Sequence, residues 1–495
     1  MTTHEQHTAD YFCGNNPTSD LDHVTATDEI VQQQTQELEY FCGNNLSPEA
    51  PAPMLEDFFT KLADEMKTVG STLKRDLTMK GRLERRFLGR EVGDLLGVTD
   101  TYIQRILSEE PENNPAFPRG EPGARGSVYS LSDVMLMRAV MQAKVGVKNR
   151  YLYWREPGDP LPVVTFGAQK GGTGKSLTAA HFAQYLTMQY GLRVGIIDCD
   201  PQATASLYFA DQNSPMLTGE AQTVAAFMGV ENYKSPNLDR PVEEMHAMWT
   251  TTPWPGAKLM PAGAQIQNGD LTLLMLAENV DISTHSVLQK AIKRWDDAYG
   301  PRTTAADLRN EDGSFNLERY HAAMDETVDV IIIDQQPSLT LMQLNGLVAA
   351  TNVVIPQTMK GFDLSTLGSY ANAVAQYLKR NAREDEVIGA GRHIVLPTII
   401  QGVNEQDTDQ VADLYYDRED MISQVFYSRS EAVSNAAEYY KSIYEYVPET
   451  RGKRPSAKAF TDNANAVNDH LVNLVWRGKL PSKGFADTFI KQKWS

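Results

Sequence analysis

Residues 163–176 set an apolar run, Val163 to Phe166, ahead of Gln169-Lys170-Gly171-Gly172-Thr173-Gly174-Lys175-Ser176, and a helical pattern through Phe182 and Leu186 follows at once. A chain with this order has few ways to fold. The strand must be buried, the glycines let the backbone curl tightly, and the helix N-terminus turns the loop's N–H groups into a cradle for an anion. Further short runs, Val194 to Ile197, Val330 to Ile333, Val353 to Ile355 and Ile394 to Leu396, are continuous rather than alternating. Runs of that kind belong to parallel strands covered on both faces. The expected fold is therefore α/β, a mostly parallel sheet with helices on both sides.

The anion that suits such a loop is phosphate. Lys175 would reach the β- and γ-phosphates of a nucleotide, and the Ser176 hydroxyl would ligate Mg²⁺. The general P-loop pattern G-x-x-x-x-G-K-[ST] asks for glycine at position 169, where this chain has Gln169 and then an extra lysine, Lys170. With Lys170 included, K-G-G-x-G-K-[ST] resembles the deviant Walker A signature of the ParA/MinD group of P-loop ATPases. Asp198-Cys199-Asp200-Pro201-Gln202 resembles the D-x-D-P-Q motif of the same group, and Asp334, closing the run from Val330, stands at the Walker B position. The resemblance extends over roughly residues 160–475. It includes Leu344-Asn345-Gly346-Leu347, Ile355-Pro356, Phe362-Asp363-Leu364, Tyr427-Ser428-Arg429-Ser430-Glu431 and Ser442-Ile443-Tyr444-Glu445.

That resemblance implies an ATP hydrolase using ATP and Mg²⁺, slow until a centromere-bound, ParB-like partner stimulates it. Gln169, Lys170, Gly171, Gly172, Thr173, Gly174, Lys175 and Ser176 would hold the nucleotide. Lys170 would cross a nucleotide-sandwiched homodimer to the partner's phosphates, Asp200 would orient the attacking water, and Ser176, Asp198 and Asp334 would serve the metal. The catalytic set is then Lys170, Lys175 and Asp200. The group usually follows the Walker B acid with a small residue and Pro-Pro, whereas Gln335-Gln336-Pro337-Ser338 stands here, so the shape of that loop and the hydrolysis rate are expected to differ.

Ahead of this region, residues 86–145 read as helix, turn, helix, loop, helix. Arg90 to Leu96 and Asp100 to Leu107 flank the Gly97-Val98-Thr99 turn, with Ile103 and Leu107 inward, and Ser130 caps a helix through Val134, Met137 and Val140. Phe117 to Gly126 would form a wing with Arg119 and Arg125 at its tip. The order resembles a MerR-type winged helix-turn-helix, which would present Thr99, Thr101, Tyr102, Gln104, Arg105, Arg119 and Arg125 to DNA. Together with an amphipathic helix from Met54 to about Leu77 (Leu55, Phe58, Phe59, Leu62, Met66, Val69, Leu73), read as a dimerisation element, the chain is similar to the long, plasmid-type ParA proteins, RepA of repABC plasmids included.

Charge looks unfavourable to a DNA partner, since the 495 residues carry a formal net charge of -18. Its distribution says otherwise. Residues 1–50 contain nine acids and no Lys or Arg, half of the total, in a polar segment expected to be disordered. Residues 80–150 are net +3 and residues 441–495 net +5. Lys441, Arg451, Lys453, Arg454 and Lys458, with Lys479, Lys483, Lys491 and Lys493, are the candidate surface for sequence-independent DNA binding. Tyr-Phe-Cys-Gly-Asn-Asn occurs at 11–16 and again at 40–45. It is either a bivalent docking peptide or a neutral duplication.

The expected organisation is a tail over 1–50, a dimerisation helix over 51–80, a winged helix-turn-helix over 81–150, the ATPase over 151–480 and a basic tail over 481–495. The function expected is DNA partition with binding to the chain's own operator, in the cytoplasm on the nucleoid. Three cysteines without ligand spacing suit a reducing compartment and leave no paired cysteines for an iron–sulfur cluster. No signal peptide or stable membrane association is expected. A MinD-like membrane-positioning ATPase, with Phe485 to Trp494 as amphipathic helix, and a repressor with weak ATPase are the alternatives.

Overall fold

The computed structural model describes residues 85–494 apart from 146, 212, 215–221, 264, 280, 384–385, 402–404 and 419–420, together with residues 55–62 and 64. Two compact units are separated, Met1–Thr68 and Val69–Ser495. In the first, residues 55–62 and 64 are helical, within the helix expected from Met54, and Leu55, Phe58, Phe59 and Leu62 are exposed. The 1–50 segment and its duplicated hexapeptide lie outside the described residues.

The second unit begins with a small antiparallel sheet, β1 (Phe87–Leu88), β2 (Glu121–Gly123) and β3 (Gly126–Tyr129), in the order β1-β3-β2. Helix α1 (Gly89–Leu96) ends on Gly97, whose φ of 68° is the left-handed conformation glycine adopts without a Cβ clash. Thr99 then caps α2, its Oγ1 accepting from the Tyr102 N–H. α2 (Asp100–Asn113) is longer than the expected Asp100 to Leu107, and its inward face is Ile103 and Ile106, with Leu107 only partly buried. Ser130 caps α3 (Leu131–Lys144) as expected, its Oγ accepting from the Asp133 N–H. One expectation for the wing is corrected: Arg125 sits at the hairpin tip, but Arg119 lies at its base, where its guanidinium donates to the Pro111 carbonyl at 3.0 Å.

The main sheet adds β4 (Val163–Phe166), β5 (Val194–Asp198), β6 (Thr250–Thr251), β7 (Ala257–Met260), β8 (Val330–Asp334), β9 (Asn352–Thr358) and β10 (Ile394–Thr398). Their order is β10-β9-β4-β8-β5-β7-β6, parallel throughout except for the β6–β7 pair at one edge. β4, β5 and β8 are buried along their whole length, as their unbroken apolar sequences require. Phe166 pairs with Asp334, and Asp334 with Asp198. This register sets the carboxyl ends of the three strands side by side.

The other helices of eight or more residues are α4 (Lys175–Tyr190), α5 (Gln265–Leu276), α6 (Val287–Tyr299), α7 (Leu317–Glu326), α8 (Leu341–Ala349), α9 (Gly361–Asn381), α10 (Glu405–Asp417), α11 (Arg454–Trp476) and α12 (Phe485–Trp494). α12 corrects the expected basic tail. It packs on α11, with Phe489 and Trp494 both edge-on to Phe426 and the Trp494 indole donating to the Gln424 carbonyl. Lys483, expected on the basic surface, instead lies over the Tyr190 ring at 5.0 Å.

Residues 85–145 share one continuous core with the large sheet: Val92, Ile103, Tyr129, Val134 and Met137 belong to the same apolar cluster as Phe182, Tyr185 and Leu186 of α4. At the junction the buried Arg138 donates to three carbonyls, those of Leu95 (2.5 Å), Met188 (2.9 Å) and Tyr151 (3.2 Å). The opposite side of α3 is covered by Leu308, Tyr320 and Ala323, from the segment between α6 and β8.

Candidate functional site

The glycine-rich loop leaves the end of β4, at the centre of the sheet, and enters α4. Gly172 and Gly174 have φ of 76° and 82°, and a Cβ on Gly171, Gly172 or Gly174 would meet nothing within 4 Å. The loop is thus an open cradle, and its curl needs glycine at the two left-handed positions. Gly174 is the N-cap residue of α4 and offers no side chain to cap it. The first-turn N–H groups therefore remain available to an anion. The loop is braced from β10, where Thr398 Oγ1 donates to the Thr173 carbonyl at 2.7 Å.

Lys175 is buried beneath this cradle. Its ammonium donates to Asp334 Oδ1 at 3.0 Å and stands 3.6 Å from Asp200 and 3.5 Å from Ser176 Oγ. Burial works against its charge, but Asp334 and Asp200 outweigh that and raise its ammonium above the ordinary lysine value. Asp334 is fully buried, and its second oxygen, Oδ2, has no partner. Burial leaves its carboxyl raised, although Lys175 pulls against that. Asp200 is tied through Oδ1 to the Gln202 N–H and keeps Oδ2 toward Lys175.

Asp198, expected to serve the metal, is held within the chain through both of its oxygens. Oδ1 accepts from the Asp200 N–H, and Oδ2 accepts from both the N–H and the hydroxyl of Ser206, at 2.8 and 2.7 Å. With both oxygens engaged, Asp198 shapes the loop that carries Asp200. Burial, and then the charge of Asp334, push its carboxyl up to about 7 against these hydrogen bonds.

Lys175, Ser176, Asp198, Asp200 and Asp334 are therefore brought together. Gln169 and Lys170 are exposed on the outer side of the loop, and Lys170 turns to Asp363 rather than into the cradle. Ser206 and Thr398 escape a reading of the sequence because each acts on a loop motif through the fold, at no recurrent spacing. The residues expected to meet DNA lie elsewhere. Thr99, Thr101, Gln104, Arg105 and Arg125 are exposed, and Tyr102 is half-buried with the Arg105 guanidinium 5.2 Å from its ring centroid.

The site has the donors a magnesium nucleotide asks for. Around Lys175 lie a hydroxyl on Ser176, the unpartnered Asp334 Oδ2, a buried and unpartnered Thr173 Oγ1 and an uncapped helix N-terminus. All are hard oxygen ligands or anion-directed N–H groups, of the kind Mg²⁺ and phosphate take. Among the described residues no three His, Cys, Asp or Glu side chains converge as a metal cage, and Mg²⁺ commonly draws most of its ligands from water and phosphate. No helix among the described residues is long and apolar enough to cross a membrane.

Known proteins similar to this chain fall in one group. The chain is 26% identical over 398 residues to a putative replication protein A of Rhizobium rhizogenes, covering 79% of this chain and 87% of that one. It is 24% identical over 307 residues to protein SopA of Escherichia coli K12, covering 60% and 65%. Among solved structures, one described as a partition protein superposes with a TM-score of 0.49 at 16% identity, over 78% of this chain and 97% of that one. The model of the CobQ/CobB/MinD/ParA nucleotide binding domain matches residues 164–443. The chain belongs to that ParA-containing family.

Proposed function

We propose that the chain is an ATP-dependent DNA-partition ATPase. The observation that carries the proposal is the single convergence of an uncapped helix N-terminus, Lys175 and the orphaned oxygens of Thr173 and Asp334. In this reading the loop N–H groups from Gln169 to Ser176 and the Lys175 ammonium hold the triphosphate. Ser176 and Asp334 would hold Mg²⁺, which would supply positive charge to the transferred phosphate. Asp200, fixed by Asp198 through its N–H, orients the attacking water in line with the γ-phosphate. Charge supply and positioning are most of what phosphoryl transfer needs.

The working form is a homodimer with the nucleotides between the subunits. Large apolar side chains ring the carboxyl edge of the sheet where a second copy would sit: Leu339 after β8, Phe362 after β9 and Ile399 after β10 are all exposed. The exposed apolar face of residues 55–62 is a second place for the two copies to meet. DNA is read by α2 and the β2–β3 hairpin at the operator, and is gripped without sequence preference by the cations near α11 and α12. A ParB-like centromere-binding protein stimulates turnover, and the protein works in the cytoplasm on the nucleoid. The membrane-positioning alternative is weakened because the apolar side of α12 is occupied by Phe426 and α11.

Nucleotide binding and steady-state hydrolysis test this directly. Lys175→Ala is expected to lose ATP binding by at least about a hundredfold, as an interaction worth ~3 kcal/mol or more would require. Asp200→Ala is expected to keep ATP and the dimer while turnover falls by roughly a hundredfold or more. Equal turnover of Asp200→Ala and the parent would remove Asp200 from the mechanism.

A further inference from the structure

The extra lysine of the loop has a partner within its own chain. Lys170 Nζ donates to Asp363 Oδ1, and Asp363 Oδ2 accepts from Thr358 Oγ1 at the end of β9. The two members differ in freedom, since the Asp363 side chain is 5% exposed and that of Lys170 is 47% exposed. Asp363 is further fixed by its place in the first turn of α9, where its N–H donates to the Lys360 carbonyl at 2.9 Å. The hydrogen bonds from Lys170 and Thr358 hold the Asp363 carboxyl below the usual carboxylate range. Lys170 is thus the movable arm, and Asp363 the fixed post it rests on.

We propose that Asp363 is a positioning residue that holds Lys170 in cis and so withholds it from a second subunit's phosphates. The inference rests on the proposed role of Lys170 as the lysine that crosses the dimer. One ammonium on one stem cannot serve the buried Asp363 and a phosphate in another chain together. The ion pair is of the right strength for a threshold, because a half-exposed lysine–carboxylate pair is modest and a phosphate chain carries more charge. The same docking that takes Lys170 would cover Phe362, the neighbour of Asp363, which is 92% exposed. A dimer needs two such lysines released, so the bias counts twice. A tenfold preference for the cis arrangement in each chain, about 1.4 kcal/mol, weakens dimerisation about a hundredfold.

The test uses the full chain with a non-hydrolysable ATP analogue, reading self-association by sedimentation velocity and monomer affinity with a fluorescent nucleotide at low protein concentration. Asp363→Asn keeps the shape and the Thr358 hydrogen bond but removes the charge. It is expected to dimerise at a roughly ten- to hundredfold lower concentration, with monomer nucleotide affinity unchanged. Asp363→Glu should stay near the parent, and in a Lys170→Ala background, which does not dimerise, Asp363→Asn should leave monomer nucleotide affinity and urea stability as they are in Lys170→Ala alone. A merely structural Asp363 would lower stability or monomer affinity alike in both backgrounds, and that result would overturn the proposal. So would dimerisation of Asp363→Asn at the parent's concentration while Lys170→Ala still fails to dimerise. If Lys170→Ala dimerises as well as the parent, the crossing role of Lys170 itself is wrong, and the latch falls with it.

Discussion

Gln335 is fully buried with neither its amide oxygen nor its amide nitrogen partnered, and a Cβ on Gly346 would stand 1.6 Å from that nitrogen. A polar group left in this position costs on the order of 1–3 kcal/mol. Gln335→Leu, of nearly equal bulk and without the two orphaned atoms, is expected to raise stability by about 1 kcal/mol. Gly346→Ala drives a methyl into the amide and is expected to lower stability by about 2 kcal/mol or more. Gln335→Ala in the Gly346→Ala protein should recover most of that loss. Urea titration of the parent and these variants checks all three, and independent, additive effects would sink the packing argument. The departure at 335–336 is visible in the sequence as a break from the Pro-Pro habit. Its consequence is not, because it depends on how α8, the next helix in the chain, packs Gly346 back against that side chain. Lys175, Asp200 and Asp334 are legible for the opposite reason: Asp334 closes β8, Asp200 stands just past β5 and Lys175 ends the loop that leaves β4, and the register of β4, β5 and β8 does the rest.

At the scale of elements, the apolar runs foretell the five strands from β4 to β10 that are mainly Val and Ile. They miss β6 and β7, whose Thr250–Thr251 and Ala257–Met260 carry no such run. The C-terminal segment misleads because its cations are conspicuous in the sequence, whereas the partner that takes up its aromatics is not. Asp469 of α11 accepts from the N–H groups of Lys483, Phe485 and Ala486, so α11 supplies the N-terminal cap that α12 lacks locally. This draws Lys483 inward. Burial, and then the charge of Arg138, hold its ammonium down to about 7, against the pull of Asp469. The unfolded chain, with lysine near 10.5, binds that proton more tightly, so stability is expected to rise as pH goes from about 7 towards 10. Below about 7 the penalty is fully present. Lys483→Met is expected to stabilise the protein at pH 6 by on the order of 2 kcal/mol, after allowance for partial solvent access, and by much less at pH 9.5. Equal gains at the two pH values would show that the ammonium is not the source.

For the whole molecule the question is where a protein of net charge -18 offers a surface to DNA. The two stretches of cations named from sequence do not form one patch. α11 has 23 residues, about 34 Å at 1.5 Å per residue, with Arg451, Lys453, Arg454 and Lys458 near its start and Lys479 beyond its end. α12 returns along it, since Gln492 and Lys493 line the same groove as Ser456 and Ala459. Lys493 is thereby brought to the groove beside Ser456 and Ala459 near the start of α11, while Lys479 stays at the far end and Lys483 turns inward against Tyr190. If the proposed sequence-independent binding uses this surface, Arg451→Glu, Arg454→Glu and Lys493→Glu should each weaken binding of a random duplex by the ATP form. Each should also flatten the plot of log affinity against log salt, by up to about 0.9 for every phosphate no longer neutralised. Lys479→Glu, an equal change in net charge, should do far less. Fluorescence anisotropy across a salt series separates the two cases. Equal losses from Lys479→Glu and Lys493→Glu would mean that overall charge governs attraction to DNA and that the surface joined by α11 and α12 has no special part in it.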